Sequence, residues 1–291
     1  MQPIVAALVG VMLMSACAEG RFVRKPAFTE TCGTQHNTSP PVESAFTVLV
    51  WNIHDRAQPG SVYANDGHTE SEVVCIAEIA KQYNLVFLQE SFQHPRQIPT
   101  ATNHTWSHYP IFQTGGGGNW WPLRWLCEIC RSPGLLMLAS EPALFSYAEP
   151  YTAFAGWHTA LNKSDHFFSK GFQLVRFPGM WVLNSHNDAG RGQASIDARR
   201  QQFRQITTAL YTLVPPEAAL LIGMDANLRP DREPQDAVIL EEFLTANELT
   251  LIVQHGPDLI AARNLRIVSP LVLPLEGVLS DHDALSVIVE E

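Results

Sequence analysis

Five apolar runs in this chain end or begin with residues that can bind a metal ion or move a proton. They are LVWNIH (49–54), LVFLQES (85–91), WVLNSHND (181–188), LLIGMDANL (220–228) and LSDHDALSVIVE (279–290). The polar set is Asn52, Glu90, His186, Asp225, Asn227, Asp281 and His282. Carboxylate and amide oxygens are hard donors for a divalent cation, and imidazoles transfer protons near neutrality. That combination suits attack of water on a phosphate ester. Each residue alone has a plain reading as a turn Asn or Asp, or a His at a strand end. Seven of them at the ends of five separate runs point to one shared site. Asp225 and Asn227 are two residues apart, so strand alternation turns both side chains to one side. Gly223 just before them is read as a point where the backbone bends.

The elements that must position these groups are legible as runs and periods. Strand-like runs fall at 46–52, 84–89, 134–139, 171–177, 180–186, 218–224, 249–253 and 284–289. Helical periodicity covers 70–83, 194–214 and 236–246. Strands and helices mix without strict alternation, which favours an α/β body with mixed sheets over a Rossmann fold or a barrel. The body spans 45–291. Residues 18–44 are polar, contain Pro40-Pro41, and read as a flexible tether. The Gly run at 115–118 is a turn and not a phosphate loop, because no Lys-Ser/Thr follows it.

Bulk properties narrow the function. Hydrophobic residues make up 46% of the 291 and charged ones 16%, which is enough for a large core. The net charge is −10 with only 19 Lys plus Arg, which argues against a protein that grips long nucleic acid. A nuclease is not excluded, since a bound cation supplies local positive charge. Residues 1–17 form an apolar stretch closed by small residues, too short to span a bilayer and typical of an export signal. The string LMSAC resembles a bacterial lipoprotein signal with Cys17 lipidated; ordinary cleavage and release is the alternative. Cys32, Cys75, Cys127 and Cys130 then remain, an even number that permits two disulfides of unassigned pairing. Cys127 and Cys130 lack a second CxxC or a His pair, so a loop disulfide is expected there in preference to zinc.

With these residues in view, the chain resembles the endonuclease/exonuclease/phosphatase, or deoxyribonuclease I-like, superfamily. The motif order WNIH, LQES, NSH, MDAN, SDH carries the resemblance, which extends over nearly all of 46–291. It implies a four-layer α/β/β/α sandwich of two mixed β-sheets and a Mg²⁺-dependent phosphoesterase, with Mn²⁺ as the alternative ion. By that resemblance Asn52 and Glu90 hold the ion and Asp281 lies beside it. Asp225 and Asn227 orient water and a phosphate oxygen. His282 is the general base, Asp258 in GPDLIAARNLRI (256–267) orients it, and His186 stabilises the transition state. HYPIFQT (108–114), SPGLLMLASEPAL (132–144) and DHFFSKGFQLVRF (165–177) are similar to stretches of secreted sphingomyelinases, and Lys170 there would meet the substrate phosphate.

Two departures stand out. The membrane-binding aromatic hairpin of bacterial sphingomyelinases is replaced by SPLVLPLEGV (269–278), and Met224 precedes Asp225 in an altered motif. Trp120, Trp121 and Trp125 could supply apolar anchoring instead. The expected partner is a phosphodiester, a lipid before a nucleic acid, met at a membrane surface by a monomer. The expected place is outside the cytoplasm: periplasm, outer-membrane lipoprotein or secreted.

Overall fold

The computed structural model describes residues 46–55, 68–112, 132–155, 169–275 and 279–290. The export signal, the tether, the Gly run at 115–118, the three tryptophans at 120, 121 and 125, and every cysteine except Cys75 lie outside them.

Among the described residues, twelve strands and four helices alternate irregularly. In order they are β1 (Phe46–Asp55), α1 (Glu70–Ala80), β2 (Leu85–Ser91), α2 (Gln97–Thr100), β3 (Trp106–His108), β4 (Leu136–Ala139), β5 (Phe145–Pro150), β6 (Gly171–Phe177), β7 (Met180–His186), α3 (Gln193–Leu213), β8 (Leu220–Asp225), α4 (Pro234–Ala246), β9 (Thr250–His255), β10 (Asp258–Arg263), β11 (Arg266–Leu273) and β12 (Ala284–Glu290). They build two six-stranded sheets, β11-β12-β1-β2-β4-β3 and β5-β6-β7-β8-β10-β9. Each sheet is mixed: β1 with β2 and β7 with β8 run parallel, and the other neighbours are antiparallel.

Period-two alternation decides which side chain faces which layer. Val48, Val50, Leu85 and Phe87 of the first sheet pack against Val175, Val182, Leu221 and Ile260 of the second. The intervening residues Leu49, Trp51, Val86 and Leu88 point outward onto Val73 and Ile76 of α1. On the far side Leu183, Ile222 and Met224 meet Phe203, Ile206, Leu210 and Phe243 of α3 and α4. The result is helix, sheet, sheet, helix, as expected from the sequence. α1 starts at Thr69, whose hydroxyl accepts from Glu72 N at 3.3 Å while Glu72 takes Thr69 N at 2.7 Å. α4 opens on Pro234, whose missing N–H has no helical partner to lose.

Gly223 does not act as a hinge. It sits inside β8 opposite Asn184 and Ile260, at a close approach of the two sheets. A Cβ there would lie 2.4 Å from Val50 Cγ2 and 2.5 Å from Phe87 Cδ2, both fully buried. Gly223→Ala is therefore expected to cost about 1–3 kcal/mol by overpacking. A lowered urea midpoint, partly restored by adding Val50→Ala, is the expected result. An unchanged midpoint would show that the sheets have slack there.

Candidate active site

The chemistry lies at the last inward-facing position of neighbouring strands. In the second sheet His186, Asp225 and Asp258 stand side by side in register, with Gly171 completing the row. One step deeper the row reads Gln173, Asn184, Gly223, Ile260. Below that it is wholly apolar. In the first sheet Asn52 is the inward residue that follows Val48 and Val50 on β1. Its Nδ2 donates to Asp225 Oδ2 at 2.9 Å, which ties the two sheets together across the site.

Glu90 breaks the alternation. Gln89 faces inward, donating to Asn184 Oδ1 at 2.7 Å, so a regular strand would turn Glu90 outward. Glu90 instead has φ +56, a left-handed backbone that a non-glycine residue rarely adopts. Its carboxylate enters the site, with Oε1 3.5 Å from His186 Nε2 and Oε2 3.4 Å from His54 Nδ1. Strain of this kind collects at functional positions.

Asp258 Oδ2 lies 2.6 Å from His282 Nδ1. His282 and Asp281 stand in the turn before β12, not at its first residues. Ser280 holds that turn, its hydroxyl donating to Asn52 O at 2.6 Å and accepting from His282 N at 3.1 Å. Asp281 is the exposed member of the set, its Oδ1 3.0 Å from His54 Nδ1. Asp225, Asp258 and His282 also cluster closely enough to hold a cation. The short bond to Asp258 already engages His282 Nδ1, so this trio reads as an acid–base group. Asn52, Glu90 and Asp281 supply further oxygens at the same edge that could hold a cation. Three buried carboxylates, one exposed carboxylate and a buried amide at one edge are the donor set of a hard dication, so the residues present fit the metal the fold implies.

Lys170 is buried, and its ammonium donates to His186 Nε2 at 3.0 Å and to Asn187 O at 2.8 Å. The carboxylates of Glu90 and Asp225 lie farther from the same nitrogen, at 3.5 and 3.4 Å. The shorter contact favours Nε2 as acceptor from Lys170. Lys170 thus stands behind His186. Asn227 reaches the site through a turn and not through strand alternation. Asp225 Oδ1 accepts Asn227 N at 2.9 Å, Asn227 takes φ +51, and its Nδ2 donates to Asn187 O at 3.0 Å.

Two buried networks support these groups. Gln89, Asn184 and Gln173 form a polar bolt between the sheets, with Asn184 Nδ2 donating to Gln173 Oε1 at 3.1 Å. Arg199 of α3 pairs with Asp236 of α4 at 2.9 Å and donates to Gly190 O at 2.9 Å. Asp236 also accepts Arg229 N at 3.0 Å, so one ion pair fixes the loops after both β7 and β8. The sequence reading missed these pairs and also His54. For His54 a signal existed: it is an imidazole two residues beyond Asn52 in the WNIH string.

Burial pushes Asp258 up to about 7, with the charge of Asp225 adding to it against His282 and Arg229. Burial lowers His282, but the hydrogen bond to Asp258 and the charges of Asp258, Asp225 and Asp281 outweigh it and raise the imidazole to about 10. The proton belongs on the imidazole, because carboxylates surround it. The raised His282 value means that the folded state holds a proton the unfolded chain releases. That stabilisation is full below the free imidazole value of 6.5 and is lost as pH rises through about 10. In EDTA, the unfolding midpoint should fall between pH 7 and 10 more steeply in the parent than in His282→Gln. Equal slopes would remove the dyad as the source.

Sheets, layers and edge site define a class: the chain has the endonuclease/exonuclease/phosphatase fold. Among solved structures it is similar to sphingomyelinase C from Streptomyces griseocarneus, at TM-score 0.59 and 15% identity over 84% of this chain and 99% of that one. A mutant beta toxin from Staphylococcus aureus with bound magnesium ions matches at 0.59 and 12%, covering 84% and 100%. The human Nocturnin catalytic domain with bound sulfate matches at 0.57 and 17%, covering 86% and 95%. No family model matches the sequence, and no curated protein matches it either.

Proposed function

We propose that the protein is a divalent-cation-dependent phosphodiesterase that releases phosphocholine from a sphingolipid. The observation that carries the reading is the Asp258–His282 pair, 2.6 Å apart, in the same edge site as Glu90, Asp225 and Asn52. Asn52, Glu90 and Asp281 would hold Mg²⁺, with Mn²⁺ as the alternative. When bound, the ion supplies positive charge that polarises the phosphoryl group.

The protein's own groups do the rest. Without the ion His282 holds a proton among the carboxylates; a bound cation's charge would oppose that proton, and Asp258 then fixes the tautomer through Nδ1 so that Nε2 can take a proton from water. Asp225 and Asn227 orient that water and a phosphate oxygen. His186, with the Lys170 ammonium behind it, would stabilise the oxygen on which charge grows.

The sphingolipid assignment draws on the likeness to sphingomyelinase C and on the net charge of −10, which disfavours long nucleic acid. The reading includes export through residues 1–17, with 18–44 as a tether, Cys17 lipidation or secretion, and a monomer working at a membrane surface. Cys75 is disulfide-bonded, in keeping with an oxidising compartment. No helix among the described residues is long and apolar enough to cross a membrane.

The test incubates signal-free protein and Mg²⁺ separately with sphingomyelin vesicles, plasmid DNA and a phosphoinositide. Phosphocholine release abolished by EDTA is the expected result. DNA nicking or phosphate release alone would transfer the assignment to a nuclease or a phosphatase of the same fold.

A further inference from the structure

We infer that His54 is a ligand of the catalytic cation, and that this imidazole makes the site prefer a first-row transition dication such as Mn²⁺ over Mg²⁺. The inference rests on the reading that Asn52, Glu90 and Asp281 face the ion.

The geometry begins with the backbone. The pairing of β1 with β2 shifts register between Asn52 and Asp55. Within that irregularity His54 adopts φ +51, and its N–H donates to Asn52 Oδ1 at 3.0 Å. Ile53 packs outward against the α1 side, and the ring contacts of His54 put its imidazole on the site side with Asn52. The imidazole Nδ1 then comes 3.0 Å from Asp281 Oδ1 and 3.4 Å from Glu90 Oε2. Two ligand atoms at right angles on an ion with bonds of about 2.1 Å are about 3 Å apart. Each of these two nitrogen–oxygen distances is that of a pair of neighbours on one ion; the trio as a whole is looser than Asp225, Asp258 and His282, so one carboxylate must swing inward for all three to share a cation. Asn52, Glu90 and Asp281 offer hard oxygens that suit Mg²⁺ and Mn²⁺ alike. A neutral imidazole adds affinity for Mn²⁺ and the later metals and little for Mg²⁺. The competing role is a hydrogen-bonded bridge that holds the two carboxylates apart without touching the ion.

Purified full-length protein loaded with Mn²⁺ distinguishes these roles by pulsed electron paramagnetic resonance. Directly coordinated imidazole gives a nitrogen coupling to the manganese spin; a bridge outside the coordination sphere gives none. The measurement is repeated in His54→Asn, His186→Asn and His282→Asn. Asn tolerates a left-handed backbone, so the first variant keeps the turn at position 54. The expected result is nitrogen coupling in the parent that is lost only in His54→Asn. Mn²⁺ affinity should fall there by about tenfold or more, the lower end of what partners of metal ligands contribute, with Mg²⁺ affinity nearly unchanged. His54→Asp should bind both ions through oxygen and show no nitrogen coupling, which guards against loss by misfolding. Mn²⁺ binding without nitrogen coupling, or coupling that survives in His54→Asn, overturns the inference. EDTA-sensitive hydrolysis in that case leaves the phosphodiesterase reading standing. Failure to bind any divalent cation would overturn both.

Discussion

His282→Ala is expected to lower phosphodiester turnover by about 10²–10⁴-fold, the range that a positioned base contributes, while the chain stays folded. The ring is held by one short bond to Asp258 and sits in a turn, not in the apolar core, so truncation opens no large cavity. The main-chain contact between His282 N and Ser280 Oγ survives the substitution. The danger is Asp258, which would be left buried with Oδ2 unpaired. A buried group stripped of its partner costs about 1–3 kcal/mol. Burial already pushes the Asp258 carboxyl up to about 7, so it can take a proton in place of carrying an uncompensated charge. Asp258→Asn provides the companion measurement. An amide there can donate to Nδ1, which forces the ring proton onto Nε2 and removes the base without removing the ring. Both variants should therefore lose turnover on a phosphodiester such as bis(4-nitrophenyl) phosphate, with near-native circular dichroism. A folded His282→Ala protein working at the parental rate would take His282 out of the mechanism.

Most of the central architecture is legible in the sequence because β1, β2, β7, β8 and β12 are buried on both faces and read as continuous apolar runs. The strands that escape the reading do so for physical reasons. β5 and β11 are edge strands with half-exposed faces, and β11 carries Pro270 and a bulge near Ser269. β10 is buried, but its Ala261 and Ala262 give no strand bias. The site was legible to the extent that one polar residue marks each strand end. It was not legible where backbone or distant partners decide. The left-handed φ that swings Glu90 inward leaves no trace in LVFLQES. The Gln89–Asn184–Gln173 bolt joins residues far apart in the chain, and each one alone reads as an interruption of an apolar run. Gly223 was legible as important and misread in its cause: the need is for closeness between sheets, not for bending.

Glu90→Gln should abolish cation-linked stabilisation while leaving the metal-free protein almost as stable as the parent. The substitution keeps the shape of a fully buried side chain and removes one of four negative charges crowded at the edge. Without a cation that charge is opposed by the carboxylates of Asp225 and Asp281, which share the imidazoles of His186 and His54 with it. With a cation it is the buried anionic anchor. At a metal concentration one hundred times the dissociation constant, binding stabilises the folded state by about 2.7 kcal/mol. A tenfold weaker site at the same concentration gives about 1.4 kcal/mol, and a hundredfold weaker one about 0.4 kcal/mol. Thermal unfolding with and without Mg²⁺ or Mn²⁺ reads this difference directly, with no need for a substrate. The expected pattern is a metal-induced rise in Tm for the parent and a nearly flat response for Glu90→Gln, with turnover at subsaturating metal falling in parallel. A Glu90→Gln protein that gains as much stability from metal as the parent would move the cation away from β2. The Asp225–Asp258–His282 cluster would then be its seat, and His282 would be a ligand instead of a base.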